Sequence, residues 1–347
     1  MKNFTRGFCP STPLRQCLDG PHQTDFMSTV ILITGANGFL GSETARQAVA
    51  AGMDVRAVDL GTSPIVPGTG YFKADIREPD SLSQAMQGVE CVVHAAGLAH
   101  VFNRRRSKEE DFFIVNERGT KYAAQTAALV NVKHFVLISS VSVYGPTERG
   151  SRDESTPLRP EGIYAESKLQ AEQRAREIAE SSGMSLTILR LTTLYGPGDP
   201  GNVARLLASI DRRRFVWVGK GSNLKSLLYV GDAARAILAV ANAAPAGIRA
   251  FNVCAPPCSI REVVDQMALA LGKKGPALGI PASLALRGAW LIDRLSGRSK
   301  GSSTEAAILK FLSDDVIDGR LFNRTFAFQT VVSLREGLRR EVAWYRG

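Results

Sequence analysis

The chain has 347 residues, 44% of them apolar and 22% charged, with a net charge of +10. This is ordinary globular usage, enough for one large domain or two modest ones, and no stretch approaches the roughly 20 continuous apolar residues of a membrane-spanning helix. The five cysteines, Cys9, Cys17, Cys91, Cys254 and Cys258, are scattered and odd in number. They exclude a disulfide framework and point to a reducing, cytoplasmic location. Cys254 and Cys258 have no second Cys/His pair nearby, so no metal is expected. The basic excess is compatible with nucleic acid, an anionic substrate or an acidic membrane surface. Its two tight runs, Arg104–Arg105–Arg106 and Arg212–Arg213–Arg214, lack interleaved aromatics. They read as solvated faces, with no nucleic-acid partner.

Residues 1–28 carry Pro, Ser, Thr, Gln and Asp without periodicity and without the apolar core of a secretory signal. They read as a disordered tail, or as a stretch ahead of a start at Met27. Strand-like and helix-like segments then alternate. The strands are "TVILITG" (29–35), "DVRAVDL" (54–60), "YFKAD" (71–75), "CVVHAAG" (91–97), "HFVLISS" (134–140) and "SLTILRL" (185–191). Helices are predicted over 42–52, 81–88, 107–130 and 162–183. Apolar strands alternating with helices predict a parallel sheet covered on both faces, a doubly wound α/β fold. After about residue 195 strands shorten and Pro and Gly become frequent, with helices at 232–243 and 259–271. The expected organisation is a nucleotide-binding domain over 29–184 and a smaller mixed α/β substrate lobe over 185–347. Strand 185–191 is expected to complete the first sheet.

"TGANGFLG" (34–41) follows the first strand and opens a helix. Gly35, Gly38 and Gly41 permit a tight turn and a close pyrophosphate, with the helix N-terminus behind them. Asn37, Phe39 and Leu40 complete the loop. Asp59 ends the second strand, where a carboxylate can accept both ribose hydroxyls of NAD and repel the 2′-phosphate of NADP. NAD is therefore the expected cofactor. Asp75 and Ile76 follow the third strand within reach of an adenine, and Ala95, Ala96 and Gly97 let a cofactor lie against the backbone of the fourth.

"LISSVSVYG" (137–145) places Ser139, Ser140 and Ser142 at a strand's carboxyl end, where ligands bind in such sheets. Tyr164 and Lys168, in "IYAESKLQAE", stand at i and i+4 on one helix face. An ammonium beside a phenol favours the phenolate, as does a positive nicotinamide. A fall of about three units from a pKa near 10 makes tyrosine a base at neutral pH, about 4 kcal/mol of differential interaction. With a serine hydroxyl on the substrate oxygen, these groups suit reversible oxidation of a secondary alcohol.

Taken together, "TGANGFLG", "HAAG", "SSVSVYG", "YAESK", "LRLTTLYGPGDPGN" and "FNVCAPPCSIREVVDQMALALG" resemble the extended short-chain dehydrogenase/reductases, in particular the nucleotide-sugar epimerases and dehydratases. The resemblance covers about 29–347. It implies a Rossmann domain with tightly held NAD, a lobe that grips a nucleoside diphosphate sugar, and a homodimer. It assigns Ser140 as the catalytic hydroxyl, Tyr164 as base, Lys168 as its partner, and Asn116 to the long helix beside the site. The substrate side is drawn from Ser140, Ser142, Tyr164, Thr193, Asn202 and Lys225.

Departures from the pattern narrow the activity. The 4,6-dehydratases carry acidic groups at the two positions after the catalytic hydroxyl, where this chain has Val141 and Ser142. Thr193 replaces an asparagine of galactose epimerases. Lys225 replaces a pyrophosphate-binding arginine and loses its bidentate fork. The expectation is an NAD-dependent nucleotide-sugar 4-epimerase of surface-polysaccharide synthesis. The alternatives are an NAD(P)H-dependent reductase of a 4-keto sugar, another hydroxyl dehydrogenase, and a silent NAD(H) sensor. The last is disfavoured by the intact trio. "PASLALRGAWLIDRLSG" (281–297) has helical apolar spacing with interleaved Arg287, Asp293 and Arg294. Packing on the lobe or a partner subunit is its expected use, and a peripheral membrane contact is the alternative.

Overall fold

A computed structural model describes residues 30–99, 109–146, 150–296 and 304–347. The tail and the Arg104–Arg106 run fall outside the described residues. The first half runs β1 (Val30–Thr34), α1 (Phe39–Ala50), β2 (Asp54–Asp59), β3 (Gly70–Lys73), α2 (Pro79–Met86) and β4 (Cys91–His94). The predicted helix 107–130 then appears in three parts: α3 (Glu109–Phe112), a π-helical stretch (Phe113–Arg118) and α4 (Gly119–Leu129). Period alone does not reveal the wider turn, which buries Asn116 at its centre. β5 (His134–Ser140), a 3-10 turn (Val141–Tyr144), β6 (Ser151–Arg152), α5 (Ile163–Ser182) and β7 (Ser185–Leu191) follow.

The second half begins with β8 (Thr193–Tyr195), α6 (Asn202–Asp211), β9 (Trp217–Val218), β10 (Leu224–Lys225), β11 (Leu227–Tyr229), α7 (Val230–Ala243) and β12 (Ile248–Val253). It ends with β13 (Cys258–Ser259), α8 (Ile260–Ala270), β14 (Gly279–Ile280), α9 (Ala282–Ser296), α10 (Thr304–Leu312), β15 (Val316–Ile317), α11 (Arg320–Thr325) and α12 (Leu334–Arg346).

Seven strands form one parallel sheet in the order β12-β7-β5-β4-β1-β2-β3. The predicted doubly wound architecture is present. β7, β12 and α7, all from the expected substrate lobe, complete the sheet and its cover, with α7 packed on α1. Alternation along each strand divides its apolar residues between two cores. Ile31, Ile33, Val93, Val136 and Leu189 pack with alanines of α1 and α7. Leu32, Val92, Phe135, Leu137 and Ile188 face α2, α4 and α5, where Ala123, Ala127, Ala175 and Ala179 allow close approach. Each fully buried Ile, Leu or Phe contributes about 1.5–3 kcal/mol, so the sheet is a rigid platform. A third core of Tyr195, Leu207, Trp217, Val263, Met267, Leu338 and Val342 holds the lobe together. Strand order reverses between β1 and β4, which opens a ligand crevice at the strands' carboxyl ends.

Candidate active site

At that crevice, Gly35 has φ +68 and a Cβ added to it would lie 2.7 Å from Ala96 Cα. One added to Gly41 would lie 2.0 Å from the Gly35 carbonyl oxygen. The loop, the start of α1 and the end of β4 therefore meet at distances only glycine permits. No side chain caps α1 and no acidic residue occupies its first turn, so its leading N–H groups remain suited to a diphosphate. Asp59 braces the same loop: its carboxylate accepts from Asn37 N at 3.0 Å and from Leu60 N at 2.8 Å. The Asn37 side chain extends the brace, donating to Ser63 O at 3.0 Å and accepting from Ile65 N at 2.9 Å. Asp75 is held by Arg77, whose hydrogen bonds pull the carboxyl below its usual pKa. Ile76 is buried against Gly119 of α4.

The trio comes together beside β4 and β5. Ser140 ends β5 and accepts from Ser142 N at 3.2 Å, capping the 3-10 turn. Tyr164 hydrogen-bonds Ser140. Lys168 donates to Ile138 O at 2.9 Å. Asn116 fixes the approach of the next segment: its Oδ1 accepts from Leu98 N at 2.8 Å, and its Nδ2 donates to Leu98 O at 3.0 Å and Ser167 Oγ at 2.9 Å. A Cβ on Gly97 would meet Asn116 Oδ1 at 2.9 Å and Lys168 Nζ at 3.3 Å, so the small residue keeps this corner open. These residues leave a corner in which Gly97, Tyr164 and Lys168 would hold the reactive end of a dinucleotide.

Electrostatics refine the expected roles. Burial pushes the Lys168 ammonium down to about 8, and Glu172 opposes that fall. Burial pushes the Tyr164 phenol above its ordinary value, against the pull of Ser140's hydrogen bond. The protein's own groups therefore keep Tyr164 a phenol. The expected three-unit fall does not come from the protein alone: burial and Ser140 are the influences on the phenol, and the Lys168 ammonium is anchored on the Ile138 carbonyl.

Sequence reading missed the support beneath the trio. Glu172, the last letter of "IYAESKLQAE", accepts from Ser139 Oγ at 2.6 Å and from Arg190 Nε and Nη2 at 3.0 and 2.7 Å. Arg190 Nη1 donates to Tyr144 Oη at 3.0 Å, which donates to Asn252 Oδ1 at 2.8 Å. The available signal was Glu172's position four residues after Lys168, one turn along the same face. His94 plays a core role. It bonds Thr34 Oγ1 at 2.9 Å, and burial, with Lys168 nearby, lowers its pKa to about 3.

On the expected substrate side, Ser140 pairs with Leu191 in the sheet, so Thr193 stands exposed two residues past the strand next to the Ser140 hydroxyl. Ser142 is partly buried, and Asn202 is exposed at the start of α6. Lys225 Nζ donates to Lys310 O at 2.8 Å. Its pKa falls to about 8 through burial and Lys310, with Asp314 opposing and Arg152 adding to the fall. Arg152, also unforeseen, hydrogen-bonds Gly145 O at the end of the serine turn and pairs with Asp315. It thereby joins the serine turn to the Lys225 strand, because Asp315 bridges Lys225. The Arg212–Arg214 run is exposed.

The NAD dependent epimerase/dehydratase family model matches residues 31–254. A 4-epimerase of N-acetyl-alpha-D-glucosaminyl-diphospho-ditrans,octacis-undecaprenol from Escherichia coli O157:H7 is 30% identical over 323 residues, 92% of this chain and 96% of that one. A 2-alkyl-3-oxoalkanoate reductase from Stenotrophomonas maltophilia is 30% identical over 330 residues, 89% and 97% of the two chains. The solved structure of MoeE5 in complex with UDP-glucuronic acid and NAD superposes with a TM-score of 0.74 at 25% identity, covering 91% of this chain and 98% of that one. The matched span contains the glycine cradle, the serine turn and the Tyr-Lys helix, and the chain belongs to the NAD dependent epimerase/dehydratase family.

Proposed function

We propose that this protein is an NAD-dependent 4-epimerase of a diphosphate-linked sugar, with a nucleotide sugar as the substrate to test first. The reading is oxidation at C4 to a ketone, turning of the sugar in the site, and reduction on its other face. NAD, when bound, takes and returns the hydride and brings a positive ring that lowers the neighbouring phenol's pKa. Ser140 orients the C4 oxygen. Tyr164 holds the hydroxyl proton and gives it back. Lys168, anchored on Ile138 O, keeps positive charge beside the phenol and the ribose side of the cradle. Lys225 and Arg152 supply positive charge for the diphosphate.

One observation carries the choice of chemistry. The trio converges at the sheet edge, while the two positions after Ser140 hold Val141, buried in an apolar cluster, and Ser142. Neither can exchange the protons that loss of water requires. The site therefore supports reversible hydride and proton transfer alone. Reduction of a keto substrate is the second reading, and it is favoured by the 30% identity to the oxoalkanoate reductase.

A proton NMR time course with UDP-N-acetylglucosamine and NAD, without reductant, separates the two. Appearance of the galacto epimer's anomeric signal is the expected result. A protein that is inert to several UDP- and dTDP-sugars, yet oxidises NAD(P)H when given a ketone, would be a reductase.

A further inference from the structure

Within the lobe, α9 and α10 pack mainly on each other. α9 buries Ala289 and Asp293, four residues apart on one face, and Asp293 is occupied in accepting from Thr304 N and Glu305 N at the start of α10. The packing expected from the apolar spacing of 281–297 is thus only half realised. At 100° per residue, Leu284 and Leu291 lie nearly opposite that buried face, with Arg287 and Arg294 on one side of them and Gly288 and Ile292 on the other. Leu284 is 59% exposed, Trp290 51%, Leu291 50% and Ile292 52%. Leu278 and Leu309, just before and after, are exposed as well. Arg287 and Arg294 border this apolar centre, and Arg294 stacks over the Trp290 ring at 5.3 Å. Lys310 is also exposed, on α10. No acidic side chain of α9 reaches the surface: its one carboxylate, Asp293, points inward.

We propose that this face docks on an anionic lipid bilayer, with α9 lying in the plane of the headgroups. An apolar centre edged by arginines, with a tryptophan stacked on one of them, is the composition such a surface selects: apolar area for the acyl boundary and cations for the phosphates. The exposed patch is too concentrated for a scattered monomer surface, since among the described residues seven of the sixteen exposed large apolar ones fall between 278 and 309. The chain's net charge of +10 adds long-range attraction. Docking is a separate property from catalysis, but the two adjoin. The last turn of α10 accepts the Lys225 ammonium through Lys310 O. A diphosphate held near Lys225 would then lie beside the membrane-facing helices.

The test is flotation of the full chain with vesicles of phosphatidylcholine, with and without phosphatidylglycerol, at low and high salt. Leu284→Glu/Leu291→Glu and Arg287→Glu/Arg294→Glu serve as comparisons. The wild type is expected to float with the phosphatidylglycerol vesicles and to release at high salt, and each variant to bind about tenfold more weakly or less. All positions are exposed, so unchanged melting temperatures verify folding. Equal binding by wild type and variants would overturn the proposal. So would a wild type that ignores vesicles but forms an oligomer that Leu291→Glu dissociates, because the face would then belong to a second copy of the chain. The readout needs no turnover, so it stands or falls apart from the 4-epimerase reading.

Discussion

Replacing Glu172 by glutamine tests whether the trio depends on the buried charges beneath it. Glu172 is 1% exposed and its partner Arg190 is 4% exposed. Glutamine preserves the shape but turns an N–H₂ group, in place of Oε2, toward Arg190 Nη2, which now donates at 2.7 Å. The guanidinium is left buried without a counter-charge. Removing one partner of such a pair costs about 3–5 kcal/mol, whereas replacing both by apolar residues is often neutral or better. At an unfolding entropy of about 2.1 cal/mol/K per residue, 347 residues shift by roughly 1.4 °C per kcal/mol, so Glu172→Gln should lower the melting temperature by about 4–7 °C. Glu172→Met/Arg190→Met should recover most of the loss. A kinetic signature accompanies the thermal one. Glu172 raises the Lys168 pKa against burial, so its removal shifts that pKa further below about 8. If activity needs the ammonium, the alkaline limb of the rate profile moves to lower pH. A single variant that loses less than about 1 kcal/mol, or a double variant less stable than either single, would refute the electrostatic account. An unmoved alkaline limb would separate Glu172 from the chemistry.

Tyr164→Phe should leave NAD binding intact, by fluorescence titration, while turnover falls by about 10²–10⁴, the usual worth of a positioned acid–base group; near-normal turnover would exclude Tyr164 as the base. Asp59→Ala removes the acceptor for Asn37 N and Leu60 N as well as the expected ribose contact, so NAD should weaken more than NADP; equal weakening would mean that the carboxylate serves only the loop. Glu341, fully buried in the lobe, is raised by burial and by Asp199 from 4.5 to about 8. A carboxyl that stays protonated in the fold stabilises fully below its unfolded pKa, and that stability is lost as pH rises toward 8, a span on the order of 5 kcal/mol. Glu341→Gln should therefore flatten the decline in melting temperature between pH 5 and 8, and parallel curves for the two proteins would show that Glu341 does not titrate there.

What was legible in the sequence was what local pattern encodes. Continuous apolar runs give parallel strands because both faces are covered, and Ile31 to Thr34, Val92 and Phe135 to Ile138 are indeed buried on either side. The i, i+4 spacing of Tyr164 and Lys168 places them on one helix face wherever that helix packs. Long-range pairings left no such trace. Arg190 is 18 residues from Glu172, and Arg152 is 163 from Asp315. A buried arginine and an exposed one look alike until the fold decides. The π-helical stretch around Asn116 escaped for a related reason: the buried Asn116 at its centre hydrogen-bonds Leu98, outside the helix altogether. Membership of β12 in the main sheet was hidden by the 56 residues between it and β7, which carry the first part of the lobe.

The two halves of the proposed site are specified by different physics. Around C4, geometry is fixed by short contacts on rigid elements: Ser140 at a strand end, Lys168 on Ile138 O, Asn116 on Leu98. Small displacements there would separate acid, base and hydride acceptor, so little variation is tolerable. On the diphosphate side, Lys225 offers one ammonium, held on Lys310 O, in place of the planar fork that the sequence resemblance implies, and its pKa is lowered to about 8 by burial and by Lys310, with Arg152 adding to the fall. An arriving diphosphate would offset that crowding and raise the lysine's pKa again, so binding rests on net charge more than on a fitted fork of hydrogen bonds. Such a site constrains what is attached beyond the phosphates very little. Discrimination among carriers then falls to surfaces farther out, and the first of these, in direct contact with Lys225, is the α9–α10 pair with its exposed leucines and arginines.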